Sequence, residues 1–205
     1  MSESREARLE ARAKVEQLRR KEALRQRRRR LALIGVGVLL VVGVCAGITA
    51  TLREEDGTGA SLTGVQTFPE ERNHVEGPVT YPQTPPAGGN HSPIWLNCGI
   101  YTSPVPNENA VHDLEHGAVW ITYRPDLPKA DIARLTEFAT GQSYLVLSPY
   151  PGLPAPVVVS AWGKQLRLSG AADPRLEAFV NQYRQGPQTP EPGGPCTGGI
   201  GTPKS

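Results

Sequence analysis

Asn107-Glu108-Asn109-Ala110-Val111-His112-Asp113-Leu114-Glu115-His116-Gly117-Ala118-Val119-Trp120-Ile121-Thr122-Tyr123 changes character at Gly117. Asn107 to His116 reads as a short helix that Gly117 stops, and Ala118 to Tyr123 reads as a strand of apolar and β-branched residues. Pro125 ends that strand. Lys129 to Thr140 then places Ile132, Leu135, Phe138 and Ala139 on one helix face, with Gly141 as the C-terminal stop. Tyr144 to Ser148 and Val157 to Trp162 read as two more strands, and Gln165 to Leu168 completes a hairpin around Gly163. A last helix runs from Pro174 to Tyr183, opened by Asp173 as cap. The order α, β, α, β, β, α predicts an α+β domain with a small mixed sheet and packed helices.

Upstream, prolines and glycines are dense from Pro78 to Pro106, including Thr84-Pro85-Pro86-Ala87-Gly88-Gly89, so this is expected to be a long irregular segment of the kind that often carries function. The folded domain is expected over residues 67–186, preceded by a small, polar linker over 53–66. Residues 187–205 form a Pro/Gly-rich tail that cannot build a core, with Cys196 as its evident anchor.

The net charge of +2 hides two opposed regions. Residues 1–30 carry twelve Lys or Arg against five Glu, which leaves ten basic and fifteen acidic residues, a net of −5, for the rest of the chain. Glu10 before Lys14 and Glu16 before Arg20 support a solvated helix over this basic segment. It suits anionic lipid headgroups better than nucleic acid, and nothing in it suggests base recognition. From Leu31 to Leu52 no residue is charged. At about 1.5 Å per residue this run reaches roughly 33 Å, enough to cross hydrocarbon. Arg27 to Arg30 precede it, whereas Glu54, Glu55 and Asp56 follow. The charge asymmetry puts the N-terminus in the cytoplasm and the C-terminal domain outside, on a single-pass plasma-membrane protein. A cleaved signal peptide, cut near Ile48-Thr49-Ala50, is disfavoured by the length of the run. Cys45 then lies within the apolar run, and the bulky Val44 before it disfavours a lipoprotein.

Cys98 and Cys196 remain, an even number in a compartment that permits oxidation, and are expected to form a disulfide. His91, His112 and His116 are three of only four histidines. His112 and His116 sit four apart and therefore on one helix face, with Glu115 three residues from His112. Neutral imidazoles at this spacing hold zinc or copper, with His91 folding back as third ligand and Glu115 orienting the others from behind. A reduced Cys98 would be a fourth ligand. The structural alternative stays open: two histidines near a helix C-terminus exploit its dipole, and a loop histidine is satisfied by backbone. His74 stands apart and reads as surface or linker.

His112-x-x-Glu115-His116 also fits the inverted zinc-peptidase signature, but a domain this small offers no scaffold for such an enzyme. There is no Gly-x-Ser-x-Gly, phosphate loop or dinucleotide fingerprint. Trp95, Trp120 and Trp162 read as core or rim aromatics rather than a cofactor box.

The run from Pro86 to Tyr101, containing His91-x-x-x-Trp95-x-x-Cys98-Gly99-x-Tyr101, followed by Pro104 to Pro106, Glu108 and Val111 to Gly117, resembles the bacterial domain-of-unknown-function family 3105 over about residues 65–200. The resemblance implies a membrane-anchored outer-face protein of no established activity, in a family suspected of copper handling from its genomic company. One departure bears on copper(I): Met1 is the only methionine, so the outer segment has no thioether ligand.

Two functions follow as expectations. In one, an extracytoplasmic domain binds copper or zinc through His91, His112 and His116 for metal handling. In the other, a non-catalytic accessory module docks on another membrane complex through the loop from Pro82 to Pro106, and its histidines are structural. An enzyme is the least favoured class.

Overall fold

The structure, a computed structural model, describes residues 60–204. The expected basic helix, the apolar run 31–52 and residues 53–59 of the linker lie outside the described residues. Among the described residues no helix is long and apolar enough to cross a membrane.

Nine elements follow in chain order: β1 Gln66–Thr67, β2 Gly99–Ile100, α1 Asn107–Glu115, β3 Val119–Tyr123, α2 Lys129–Ala139, β4 Leu145–Pro149, β5 Val157–Ala161, β6 Lys164–Leu168 and α3 Arg175–Tyr183. The strands form one mixed sheet in the order β1-β6-β5-β3-β4-β2. β3 is central, parallel to β4 (Trp120 opposite Val146) and antiparallel to β5 (Trp120 opposite Ser160). This is the expected α+β fold: a six-stranded mixed sheet with three helices.

β3 is buried along its whole length, which is why it reads as a continuous apolar run rather than an alternation. Its residues split between two cores. Val119, Ile121 and Tyr123 face a cluster with Leu135 and Ala139 of α2 and Leu176, Phe179 and Val180 of α3. Trp120 turns to the opposite face and packs with Val146, with Ala110, Val111 and Leu114 of α1, and with Leu96 and Trp162. α1 is thereby held flat on the sheet face that α2 and α3 do not cover.

The β5–β6 hairpin turns through Trp162 and Gly163, and Gly163 has φ +64°. A Cβ there would sit 3.0 Å from the Phe68 carbonyl, and the Gly163 N–H donates to the Ala87 carbonyl, so the hairpin tip is clamped by the irregular segment. At α3 the cap works as expected but one residue early. The first helical residue is Arg175, with Pro174 at the cap position, while Asp173 Oδ1 accepts the Arg175 N–H at 3.1 Å.

Two boundaries differ from expectation. Residues 62–66 belong to the domain: Leu62 and Val65 pack on the core, and Gln66 opposes Gln165 on β6. The C-terminal segment is a strap with many anchors. The Cys98 N–H donates to Cys196, Ile200 to Trp95, Asn97 to Ile200 and Lys204 to Ile100, each through backbone. Prolines and glycines keep this strap out of regular structure, but its backbone groups still find partners, as buried backbone must.

Candidate metal centre

α1 presents His112, Glu115 and His116 to one side, all of them buried. His91 reaches the same place because the segment before α1 lies along it: Ser92 N–H donates to the Glu108 carbonyl, Leu96 N–H to the Asn109 carbonyl, and Asn109 Nδ2 to the Ile94 carbonyl at 2.6 Å. Of the three expected ligands, His91 and His112 come together with Glu115 beside them, whereas His116 meets the others only through His112. His91 Nε2 is 2.9 Å from Glu115 Oε2, and His112 Nε2 is 3.0 Å from His116 Nε2.

His74 lies at the surface, as expected, but it does not stand apart from the cluster. Its neighbours pair with His91 through backbone, His91 N–H to the Asn73 carbonyl and Val75 N–H to the His91 carbonyl, and this bridge draws His74 into the cluster. His74 Nε2 lies 3.6 Å from Glu115 Oε2, with its side chain 48% exposed at the mouth of the site. Donor atoms of His74, His91, His112 and Glu115 all fall within 4.8 Å of one another, a group that could hold a metal ion. Glu115 is therefore a donor in the group rather than an orienter behind it. No periodicity links His74 to His91 across seventeen residues of irregular chain, and only the backbone bridge could have revealed it.

The other ring nitrogens decide what the cluster can do. His91 Nδ1 lies 2.8 Å from the Gly89 carbonyl, His112 Nδ1 2.7 Å from the Ser92 carbonyl, and His116 Nδ1 2.7 Å from the Pro195 carbonyl. A carbonyl only accepts, so each Nδ1 carries a proton, and each ring turns its Nε2 inward. The His112–His116 contact brings two ring nitrogens together, and the His91–Glu115 contact brings a ring nitrogen to a carboxylate. Either a proton or a metal cation between the partners satisfies such contacts. Burial, with the neighbouring imidazoles adding to it against the opposing Ser92 carbonyl, pushes the His112 pKa down to about 4, so this ring is a free base at neutral pH.

Aromatic rings wall the cluster. Trp162 meets His91 edge-on at 5.7 Å, and Trp95 lies 5.9 Å from His112 and 5.7 Å from His116. Trp120, by contrast, is core, its Nε1 donating to Ser148. Cys98 and Cys196 are joined, with Cα atoms 5.2 Å apart, so Cys98 is no thiolate ligand. Asp113, between two of the histidines in sequence, points away from them. Its Oδ2 lies 3.9 Å from Cys98 Sγ, and burial pushes its pKa well above the usual carboxylate range.

A family model described as a protein of unknown function, DUF3105, matches residues 74–198. The chain belongs to the DUF3105 family. No curated protein and no solved structure matches it. The span shared with DUF3105 opens on His74 itself and takes in His91, Cys98, His112, Glu115, His116 and Cys196. In this DUF3105 chain the loop from Pro82 to Pro106 is largely internal where it is richest in proline and glycine: Pro85 to Gly89 are buried.

Proposed function

We propose that this DUF3105 chain is a single-pass, membrane-anchored extracytoplasmic domain that binds a transition-metal ion, copper(II) or zinc, through His91, His112, His116, His74 and Glu115 for metal handling. The observation that carries the reading is the shared tautomer: three imidazoles each spend Nδ1–H on a backbone carbonyl and turn Nε2 inward. Ligating histidines are held this way because the second hydrogen bond orients the ring and raises its basicity.

A set of imidazole nitrogens and one carboxylate suits copper(II) and zinc alike. Soft ligands favouring copper(I) are missing from residues 53–205: there is no methionine, and both cysteines are engaged with each other. The apolar run Leu31–Leu52 after Arg27–Arg30 supports the anchor and its orientation.

Metal content of the full chain purified from membranes tests the reading. Wild type should carry near-stoichiometric copper or zinc by elemental mass spectrometry, and a His91→Ala/His112→Ala variant should carry none. If both are empty after incubation with either ion, the histidines are structural. The docking module is then the better account, with Ile94 and Ile200, the exposed large apolar side chains flanking Trp95, as its surface.

A further inference from the structure

The donors fall into two ends: His74, His91 and His112 lie ring to ring within 5.0 Å of one another, and His116 joins them only through His112. His112 is the hub: its ring lies 4.9 Å from that of His74, 5.0 Å from that of His91 and 4.4 Å from that of His116. His116 touches only His112 among the imidazoles, and its Nε2 has one further donor within reach, Glu191 Oε2 at 3.9 Å. His116 stands outside the group formed by the donor atoms of His74, His91, His112 and Glu115, and with Glu191 it makes a second set that shares only His112 with the first.

The two ends come from different parts of the chain. One end is built by the segment carrying His74 and His91, together with Glu115. The other is built by the C-terminal strap. Glu191 N–H donates to the Glu115 carbonyl, Pro195 orients the His116 ring, and Gly194 lies so close to that ring that a Cβ would come 2.5 Å from its Cδ2. Tyr144 Oη donates to the Gly194 carbonyl, and Cys196 is bonded to Cys98, so the strap is pinned from three directions. The Glu191 side chain is 56% exposed, which places its carboxylate at the rim.

Resting on the metal reading above, we infer that the centre offers one transition-metal cation two overlapping positions that share His112: an outer one made with His116 and Glu191, and an inner one made with His91, Glu115 and His74. Each neutral imidazole has a single Nε2 lone pair, so His112 serves one position at a time and the positions are alternatives. Movement between them is ligand exchange at constant oxidation state. The bonds to His116 and Glu191 break, those to His91 and Glu115 form, and the bond to His112 persists. The Nδ1 protons stay on their backbone carbonyl bonds throughout. The cargo is a divalent transition-metal ion taken from a carboxylate rim to a buried nitrogen-rich set, an arrangement for transfer rather than storage.

Low-temperature electron paramagnetic resonance of the full chain titrated with copper(II) alone tests this. Wild type should show two sets of copper(II) parameters summing to one ion per chain. His116→Ala should abolish one set and His91→Ala the other, and Glu191→Gln, a surface change that leaves folding untouched, should shift only the set lost in His116→Ala. A single set in wild type, altered alike by His116→Ala and His91→Ala, shows one undivided site and overturns the inference while the metal reading stands. A single set indifferent to His116→Ala and Glu191→Gln overturns it equally, and absence of bound copper removes both.

Discussion

Glu115 is the residue at which a structural and a metal-binding role make different demands. Its Oε2 lies 2.9 Å from His91 Nε2 with both side chains buried. Glu115→Gln keeps a hydrogen-bonding partner for His91 but removes the negative charge a metal cation would use. In metal-free protein the variant should therefore stay within about 1 kcal/mol, or a few degrees in Tm, of wild type. Copper(II) affinity should fall on the order of 10-fold to 100-fold, as when a group that tunes a site is removed. Calorimetry and a copper titration on the same sample check both, and a fall in Tm with affinity unchanged would make Glu115 a structural residue. Asp173 gives the contrasting case of a carboxylate that earns stability. Arg175, bonded to it at 2.6 Å, is the main cause that holds its pKa well below the usual range, helped by the Ser169 and Arg175 backbone N–H groups. A depressed folded pKa contributes stability that is fully present above the unfolded value near 4 and is lost as pH falls below it. Asp173→Asn should cost about 1–2 kcal/mol at pH 7 and progressively less below pH 4, read as Tm against pH. A constant difference down to pH 2 would rule out ionisation as the source.

At the scale of elements, period decided what could be read. α1, α2, α3 and the strands β3 to β6 each run five residues or more, long enough for a helical face or an apolar run to show, and their bounds shift by only a residue or two. β1 and β2 have two residues each, too few to alternate, so the edges of the sheet were illegible. The same limit hid half of the centre. His112 and Glu115 lie on α1 and His116 caps it, so all three were visible from their spacing, whereas His74 and Glu191 arrive on irregular chain through backbone bonds that side-chain pattern does not encode. The strap is the element most open to test. Reducing Cys98–Cys196, which closes a loop with a sequence separation of 98, should cost about 4 kcal/mol, on the order of 10 °C in Tm. Amide exchange should rise first at Cys98 and Ile200, whose N–H groups bond across the strap, while β3 stays protected. Uniform exchange across strap and sheet would mean that the strap is no separate unit.

For the whole molecule, compartment and chemistry constrain each other. A disulfide persists outside the reducing cytoplasm, and an imidazole cluster meets exchangeable copper(II) or zinc in the same place. The pairing of Cys98 with Cys196 thus agrees with the orientation expected from Arg27 to Arg30 ahead of the apolar run. The two lines are separable by experiment, because Cys45 can be removed as Cys45→Ser without touching the described domain. In intact cells expressing that variant, a membrane-impermeant maleimide should label nothing until a membrane-impermeant phosphine is added, and should then label two thiols per chain. Protease added outside should digest the domain yet spare a tag placed before residue 1, and alkaline carbonate should leave the chain in the membrane pellet. Thiols that label only after lysis, without reductant, would place the domain in the cytoplasm. There the disulfide would be open, His116 would lose the strap that orients it, and only the half of the centre built on His74, His91 and Glu115 would keep its shape.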